Sequence, residues 1–176
     1  MRYLKIITTL VFALILASCS QNNNKNEAPA PVALTKEAAG HYCQMVILEH
    51  AGPKTQVHLA NNPNPLWFSQ VRDGLAFLKS PEKTNKTTAI YVNDVGVSNS
   101  WSDMGQDNWI DAARAFFVVG SDALGGMNVP EFVPFSDEKK AQDFATKRGG
   151  EVFSFDNITA EMVLAPVDYP TQTVTH

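Results

Sequence analysis

The sequence predicts an α+β protein: two small ββαβ-type units packed together, preceded by a signal segment and a flexible tether. Three observations predict it. The order strand, strand, helix, strand can be read twice along the chain at similar scale. The apolar runs are short, and clusters of Gly, Pro, Asn and Asp separate them. A hydrophobic content of 44% against 18% charged residues supplies enough apolar side chains for a core in 176 residues. Each unit alone stands near the lower size limit for a stable core, so the two are expected to bury surface against each other. One continuous α+β domain is the simpler alternative.

The first element is the signal, residues 1–18. Arg2 and Lys5 make a positive start, Ile6 to Leu16 an apolar run, and Leu16-Ala17-Ser18-Cys19 closes it. The run is too short for the ~20 residues that span a bilayer. Small residues before a cysteine resemble a lipoprotein box, in which the chain is cut before Cys19 and its thiol is acylated; a plain secretory signal is the alternative. Acyl chains hold firmly because each buried methylene adds ~0.8 kcal/mol. Residues 19–39 are polar, then Ala/Pro-rich, with little to bury, and read as an acylated tether.

The first unit is expected over residues 40–95. His41 to His50 reads as a strand, apolar and β-branched in its middle and stopped by Ala51-Gly52-Pro53. Gln56 to Ala60 reads as its hairpin partner. Pro65 opens an expected helix to Lys79, and Thr88 to Asn93 is a strand. The second unit is expected over 96–165. Asp94 to Ala112 reads as loose. Arg114 to Val119 is a strand, 120–127 a turn and Phe132 to Phe135 a strand. Asp137 to Arg148 is a helix with Ser136 as N-cap, ended by Gly149-Gly150. Glu151 to Phe155 is a strand and Thr159 to Leu164 a short helix. Residues 166–176 read as a loose tail.

The formal charge of -4 becomes -6 once Arg2 and Lys5 leave with the signal. No basic stripe or stacking platform appears, which excludes nucleic acid as a partner. Four histidines and two cysteines, widely scattered, do not make a zinc finger or an iron–sulfur site.

With Cys19 taken by lipid, Cys43 is the one thiol of the mature chain, and no internal disulfide can form. A free thiol outside the cytoplasm is either buried and inert or in use. Two residues on stands Met45. Thiolate and thioether are the ligands that soft Cu(I) prefers. In a strand, residues i and i+2 share a face ~6.6 Å apart, so both sulfurs can reach one ion. His41 shares that parity. A further sulfur, Met127, follows Gly125-Gly126, a pair that permits a tight exposed turn; filling a packing gap is its plainer role. His50 and His58 flank the first hairpin turn as further candidate ligands, or as ordinary solvated residues. Met104 and the tryptophans near it read as core. The residues themselves thus point to a Cu(I) carrier.

Several segments occur in one order: LASC, CQMVILEHAGPKTQVHL, WFSQVRD, AIYVNDVG, ARAFFVVGS, GGMNVPEFVPFSDEKKAQDFA and GGEVFSFD, the last six spanning roughly residues 41–157. In these the chain resembles the NosL family, accessory lipoproteins of nitrous oxide reductase maturation. The resemblance implies two ββαβ-type units with a topological likeness to organomercurial lyase. It implies a periplasmic Cu(I) metallochaperone, lipid-anchored in the outer membrane. Its partners would be nitrous oxide reductase, whose copper–sulfide centre it helps assemble, and an ABC-transporter-type assembly complex. The implied ligands are Cys43 and Met45, with Met127 as third sulfur. One departure stands out: the family reads Cys-Gly-Met where this chain has Gln44. If that glycine serves a positive φ, Gln44 strains the site; in a regular strand it is harmless. Two other readings differ in class. A membrane-tethered scaffold for the assembly complex would need no metal. A lyase-like enzyme would need a second thiol, which the mature chain lacks.

Overall fold

The computed structural model describes residues 28–81 and 85–167. The signal segment, the acylation site Cys19 and the tail from residue 168 lie outside these. Among the described residues no helix is long and apolar enough to cross a membrane.

The elements are β1 (Thr55–Leu59), β2 (Leu66–Phe68), α1 (Val71–Lys79), β3 (Thr87–Asn93), β4 (Trp109–Asp111), β5 (Phe116–Val119), β6 (Val133–Phe135), α2 (Glu138–Arg148), β7 (Glu151–Ser154) and α3 (Ala160–Leu164). Two antiparallel sheets result, of order β2-β1-β3-β4 and β6-β5-β7. The strand, strand, helix, strand order recurs, as β5-β6-α2-β7 in the expected places and as β1-β2-α1-β3 with Leu66–Phe68, not His41–His50, as the partner of β1. The strand β4 lies past residue 95 in the chain yet pairs with β3 in the first sheet.

Helix α1 lies against β1 and β2 of the first sheet. Val71 and Leu75, four residues apart, are fully buried on its inner face. Between them Gly74 meets β1 directly, since a Cβ there would stand 2.5 Å from Thr55 Cγ2. Helix α2 covers the second sheet through Ala141, Phe144 and Ala145, which pack with Val118, Val133 and Phe135. One apolar cluster then joins both halves. Val57, Phe68, Leu75 and Val92 pack in it with Ala112, Phe117, Phe132, Ile158 and Val163. At ~1.5–3 kcal/mol for each large buried side chain, this shared core holds the units together. The short helix α3 is tied to α1 by Arg72, whose Nε donates to Val163 O at 3.2 Å and Nη2 to Ala165 O at 2.6 Å.

Several local expectations are corrected. His41 to His50 is not a strand. It is a turn, an isolated bridge at Val46 and a 3-10 turn at Ile47–Glu49. Its apolar residues mislead because Ile47 is buried in a small core with Leu34 and Ala38, beside Trp67 and Trp109, without being paired into a sheet. The helix expected from Pro65 begins at Val71, because Leu66–Phe68 pair with β1 first. The N-cap of α2 is Asp137, accepting from Lys140 N at 3.0 Å, while Ser136 Oγ donates to Asp94 Oδ2. The tether is held from residue 28 onward. Gln56 donates to Val32 O at 3.0 Å and accepts from Val32 N at 2.8 Å, Tyr91 donates to Pro29 O at 2.7 Å, and Leu34 is buried.

Candidate metal centre

The Cys43 loop is built on a glycine and docked on an edge strand. Ala39 bridges Val46, Gly40 N donates to Met45 O at 2.9 Å, and Gln44 N donates back to Gly40 O at 2.9 Å. Cys43 stands at the bend and Met45 on the returning limb. A Cβ on Gly40 would collide with Cys43 Sγ, so the sulfur's seat exists only because residue 40 is glycine. His41 N donates to Trp67 O at 2.7 Å, which fixes the loop to β2. The rings of Tyr42, Phe68 and Phe77 surround His41 at centroid distances of 5.3, 5.6 and 5.5 Å. The turn therefore replaces the strand parity expected for His41, Cys43 and Met45.

Gln44 has φ 57°, in the left-handed region. The glycine of the resembled pattern thus does answer a backbone requirement. Here the side chain compensates, with Nε2 donating to His41 O at 2.8 Å and to Gly40 O at 3.3 Å. A left-handed non-glycine costs on the order of 1–2 kcal/mol, and the two amide bonds contribute about 1 kcal/mol each at most, less where exposed. Gln44→Gly is accordingly expected to unfold in urea within about 1 kcal/mol of the parent. Gln44→Val, with a β-branched residue and no amide, is expected to lose about 2 kcal/mol. A Val variant as stable as the parent would remove the strain argument.

The Met127 loop is a tight turn closed by Asn128 N donating to Gly125 O at 2.9 Å, with Leu124 bridging Pro130. Asn128 takes φ 58°. Both glycines are needed for close approach. A Cβ on Gly126 would lie 2.5 Å from Ser69 O, and one on Gly125 would lie 2.5 Å from Glu131 Oε2.

The two loops meet at Ser69-Gln70, the connector between β2 and α1. Cys43 Sγ lies 3.9 Å from Ser69 Oγ, Gly126 rests on Ser69 O, and Met127 N donates to Gln70 Oε1 at 3.1 Å. His50 joins them through Nδ1, 3.0 Å from Gly126 O. A carbonyl only accepts, so Nδ1 carries the proton and Nε2 is the basic nitrogen; that atom is buried without a hydrogen-bond partner. Met45 and Met127 are 41% and 36% exposed, and Cys43 is half-buried, so ions and partners can reach the sulfurs. His58 is not brought here. It sits buried on β1 with Nε2 2.9 Å from Gln56 Oε1, and burial lowers its pKa. Met104 is buried, as expected of a core residue.

Two buried charged groups brace the segments around the loops. Lys54 donates to Ala51 O at 3.1 Å and to Gly52 O, fixing the chain after His50; burial brings its pKa down to about 8. Glu131 is buried and accepts from Val71 N at 3.1 Å and Arg72 N at 2.9 Å. Among the described residues no three of His, Cys, Asp and Glu gather as a metal-holding group. The donors on offer are one thiol, two thioethers and one imidazole, a soft set that fits Cu(I) and not a hard cation. Ser69, Gln70 and Glu131 were not legible as site residues. Glu131 stands within the Gly-Gly-Met-x-x-Pro-Glu pattern, and Gln70 and Asp73 sit at helical i,i+3 spacing, but neither spacing states a target.

Comparison with known proteins gives one consistent result. The NosL family model matches residues 31–163. The copper-binding lipoprotein NosL of Achromobacter cycloclastes is 43% identical over 166 residues, covering 94% of this chain and 85% of that protein. The copper-binding lipoprotein NosL of Stutzerimonas stutzeri is 28% identical over 152 residues, covering 86% and 78%. The crystal structure of the copper chaperone NosL from Shewanella denitrificans superposes with a TM-score of 0.69 at 32% identity, covering 76% of this chain and 97% of that one.

Proposed function

The chain belongs to the NosL family, and from that premise we propose that it is a lipid-anchored periplasmic carrier of Cu(I), held in the outer membrane through Cys19. Its cargo goes to the copper–sulfide centre of nitrous oxide reductase, with an ABC-transporter-type complex taking part. The observation that carries this reading is the meeting of the Cys43 and Met127 loops on Ser69-Gln70. Cys43, Met45 and Met127 hold the ion in this reading, and His50 Nε2 is the nitrogen available beside them.

The chemistry suits carriage. Cu(I) plus one thiolate is neutral, and thioethers add no charge, so a half-buried site avoids the penalty of an uncompensated ion. The thiolate binds strongly and the thioethers weakly. A thioether on an exposed side chain is then the bond an incoming acceptor ligand replaces first. Exposed Tyr42, Leu48 and Leu124 on the same loops offer an apolar rim that excludes water during transfer.

The test is assembly in cells that carry this chain as their sole copy. Full-length Cys43→Ser protein, made and localised normally, should leave the reductase without its copper–sulfide centre, read from its copper content and visible spectrum. Normal assembly with Cys43→Ser would instead favour the tethered scaffold, in which metal plays no part.

A further inference from the structure

We propose that Gln70 is the positioning residue for the Met127 sulfur and that Asp73 sets the direction in which Gln70 works. The inference rests on the reading of Met127 as a ligand. Gln70 occupies the N-cap position of α1, 2% exposed, yet its side chain makes no capping bond. The helix N–H groups of Val71 and Arg72 go to Glu131 instead. The amide is thereby free to act across the boundary between the sheets, and both its ends are committed. Nε2 donates to Asp73 Oδ1 at 2.8 Å, and Oε1 accepts from Met127 N at 3.1 Å.

The two bonds fix each other. A carboxylate has no proton to give, so Asp73 requires the NH2 end of Gln70. The oxygen must then face the Met127 N–H. Reversing the amide would set two donors against each other at Met127. The bond falls on the backbone of the sulfur-bearing residue itself. The turn also lies on the Gln70 side chain, since a Cβ on Gly125 would stand 2.8 Å from Oε1 and 2.9 Å from Gln70 Cβ. Gln70 thus holds Met127 at a set place relative to the adjoining Ser69, against which Cys43 rests.

The experiment is competitive Cu(I) titration of the purified full-length protein in detergent in a set of variants. Gln70→Glu keeps an acceptor for Met127 N–H but sets a carboxylate against Asp73. It is expected to weaken Cu(I) about tenfold, the lower end of what outer-shell partners cost. Adding Asp73→Asn supplies a donor to the new carboxylate and should restore affinity to within a few-fold. In a Met127→Leu background, Gln70→Glu should cause no further loss, because the ligand it positions is gone. A loss of the same size in that background, or a failure of Asp73→Asn to restore binding, overturns the proposal. Unchanged affinity in Gln70→Glu overturns it as well. If Met127→Leu alone binds as tightly as the parent, the ligand reading falls, and this inference falls with it. If Met127→Leu weakens binding while Gln70→Glu does not, only the inference about Gln70 falls.

Discussion

Replacing Cys43 with serine is expected to weaken Cu(I) binding by more than about 100-fold, beyond the ~10–100-fold that outer-shell changes cost, while the protein stays folded. Serine is nearly isosteric. The site is half-buried, and its one hydrogen-bond neighbour, Ser69 Oγ, accepts a hydroxyl as readily as a thiol. On the proposed ligand set, what disappears is the charged soft ligand. Met45 and Met127 would then face a cation with no compensating charge, and weak thioethers alone hold it poorly. The same argument fixes the pH dependence. A proton competes with the ion for the thiolate, so affinity should fall as pH falls, and the slope should become shallower in Cys43→Ser, where only the His50 imidazole remains open to that competition. Titration of the purified full-length protein in detergent against a Cu(I) chelator at two pH values measures both. Parent-like affinity in the serine variant, or a pH-independent affinity in the parent, would remove Cys43 from the ligand set.

The second half of the fold was legible because its signals are local. Phe116 to Val119 is a short β-branched and aromatic run, Gly149 ends α2, whose cap falls at Asp137 one residue after the Ser136 expected, and β7 follows at once. The first half was harder. The run Met45 to Leu48 carries strand residues, yet Gly40 and a left-handed Gln44 turn the chain back on itself. Ile47 is buried by Leu34 and Ala38, from a stretch whose composition suggests only a tether. Contacts of that kind override propensity, and nothing nearby in the sequence announces them. The strands β2 and β4 hold three residues each, too few for a period to show.

The site divides in the same way. Soft ligand types at Cys43, Met45 and Met127 are visible as residue chemistry, and the glycine pair before Met127 announces a tight turn. The structure adds how the loops are held together, through Gly40 under the sulfur and the Ser69-Gln70 connector. Both work by close approach of residues distant in the chain, as Gly126 against Ser69 shows. His58 illustrates the converse: flanking the same turn as His50 in sequence, it faces the other way and is taken by Gln56.

Glu131 carries the largest expected effect on stability. Its buried carboxylate accepts from Val71 N, Arg72 N and Phe132 N at 3.1, 2.9 and 2.8 Å, so one unit caps the helix of the other. These N–H groups need only an acceptor oxygen, which the carboxyl supplies in either protonation state, and α1 has no side-chain cap of its own. Glu131→Gln turns an NH2 toward one of those donors and leaves it unsatisfied, a loss of about 2–3 kcal/mol. Glu131→Ala orphans both helix N–H groups and opens a cavity, an expected loss of about 3–5 kcal/mol.

The titration of Glu131 supplies the check on that mechanism. Burial outweighs the hydrogen bonds and nearby Lys54, and pushes the carboxyl from its ordinary 4.5 up to about 7. Between those values the folded protein keeps a proton that the unfolded chain has released, so stability is greatest below the lower value and falls as pH rises toward 7. Lys54, brought down from 10.5 to about 8 by burial, acts in the opposite sense above that range: stability is regained as pH rises from 8 toward 10.5. The pair therefore places a stability minimum between about 7 and 8. Buried His58, its pKa lowered by burial, acts in the opposite sense in this range, so the Glu131 part is read as the difference between the parent and Glu131→Gln in urea unfolding: a decrease on the order of 2 kcal/mol from about pH 5 to 7. In Glu131→Gln that fall should disappear, because the titrating group is gone while the rest of the protein is unchanged. A variant that keeps the full slope would assign it to other groups, and would leave the carboxylate cap of α1 as a charge that stays ionised throughout.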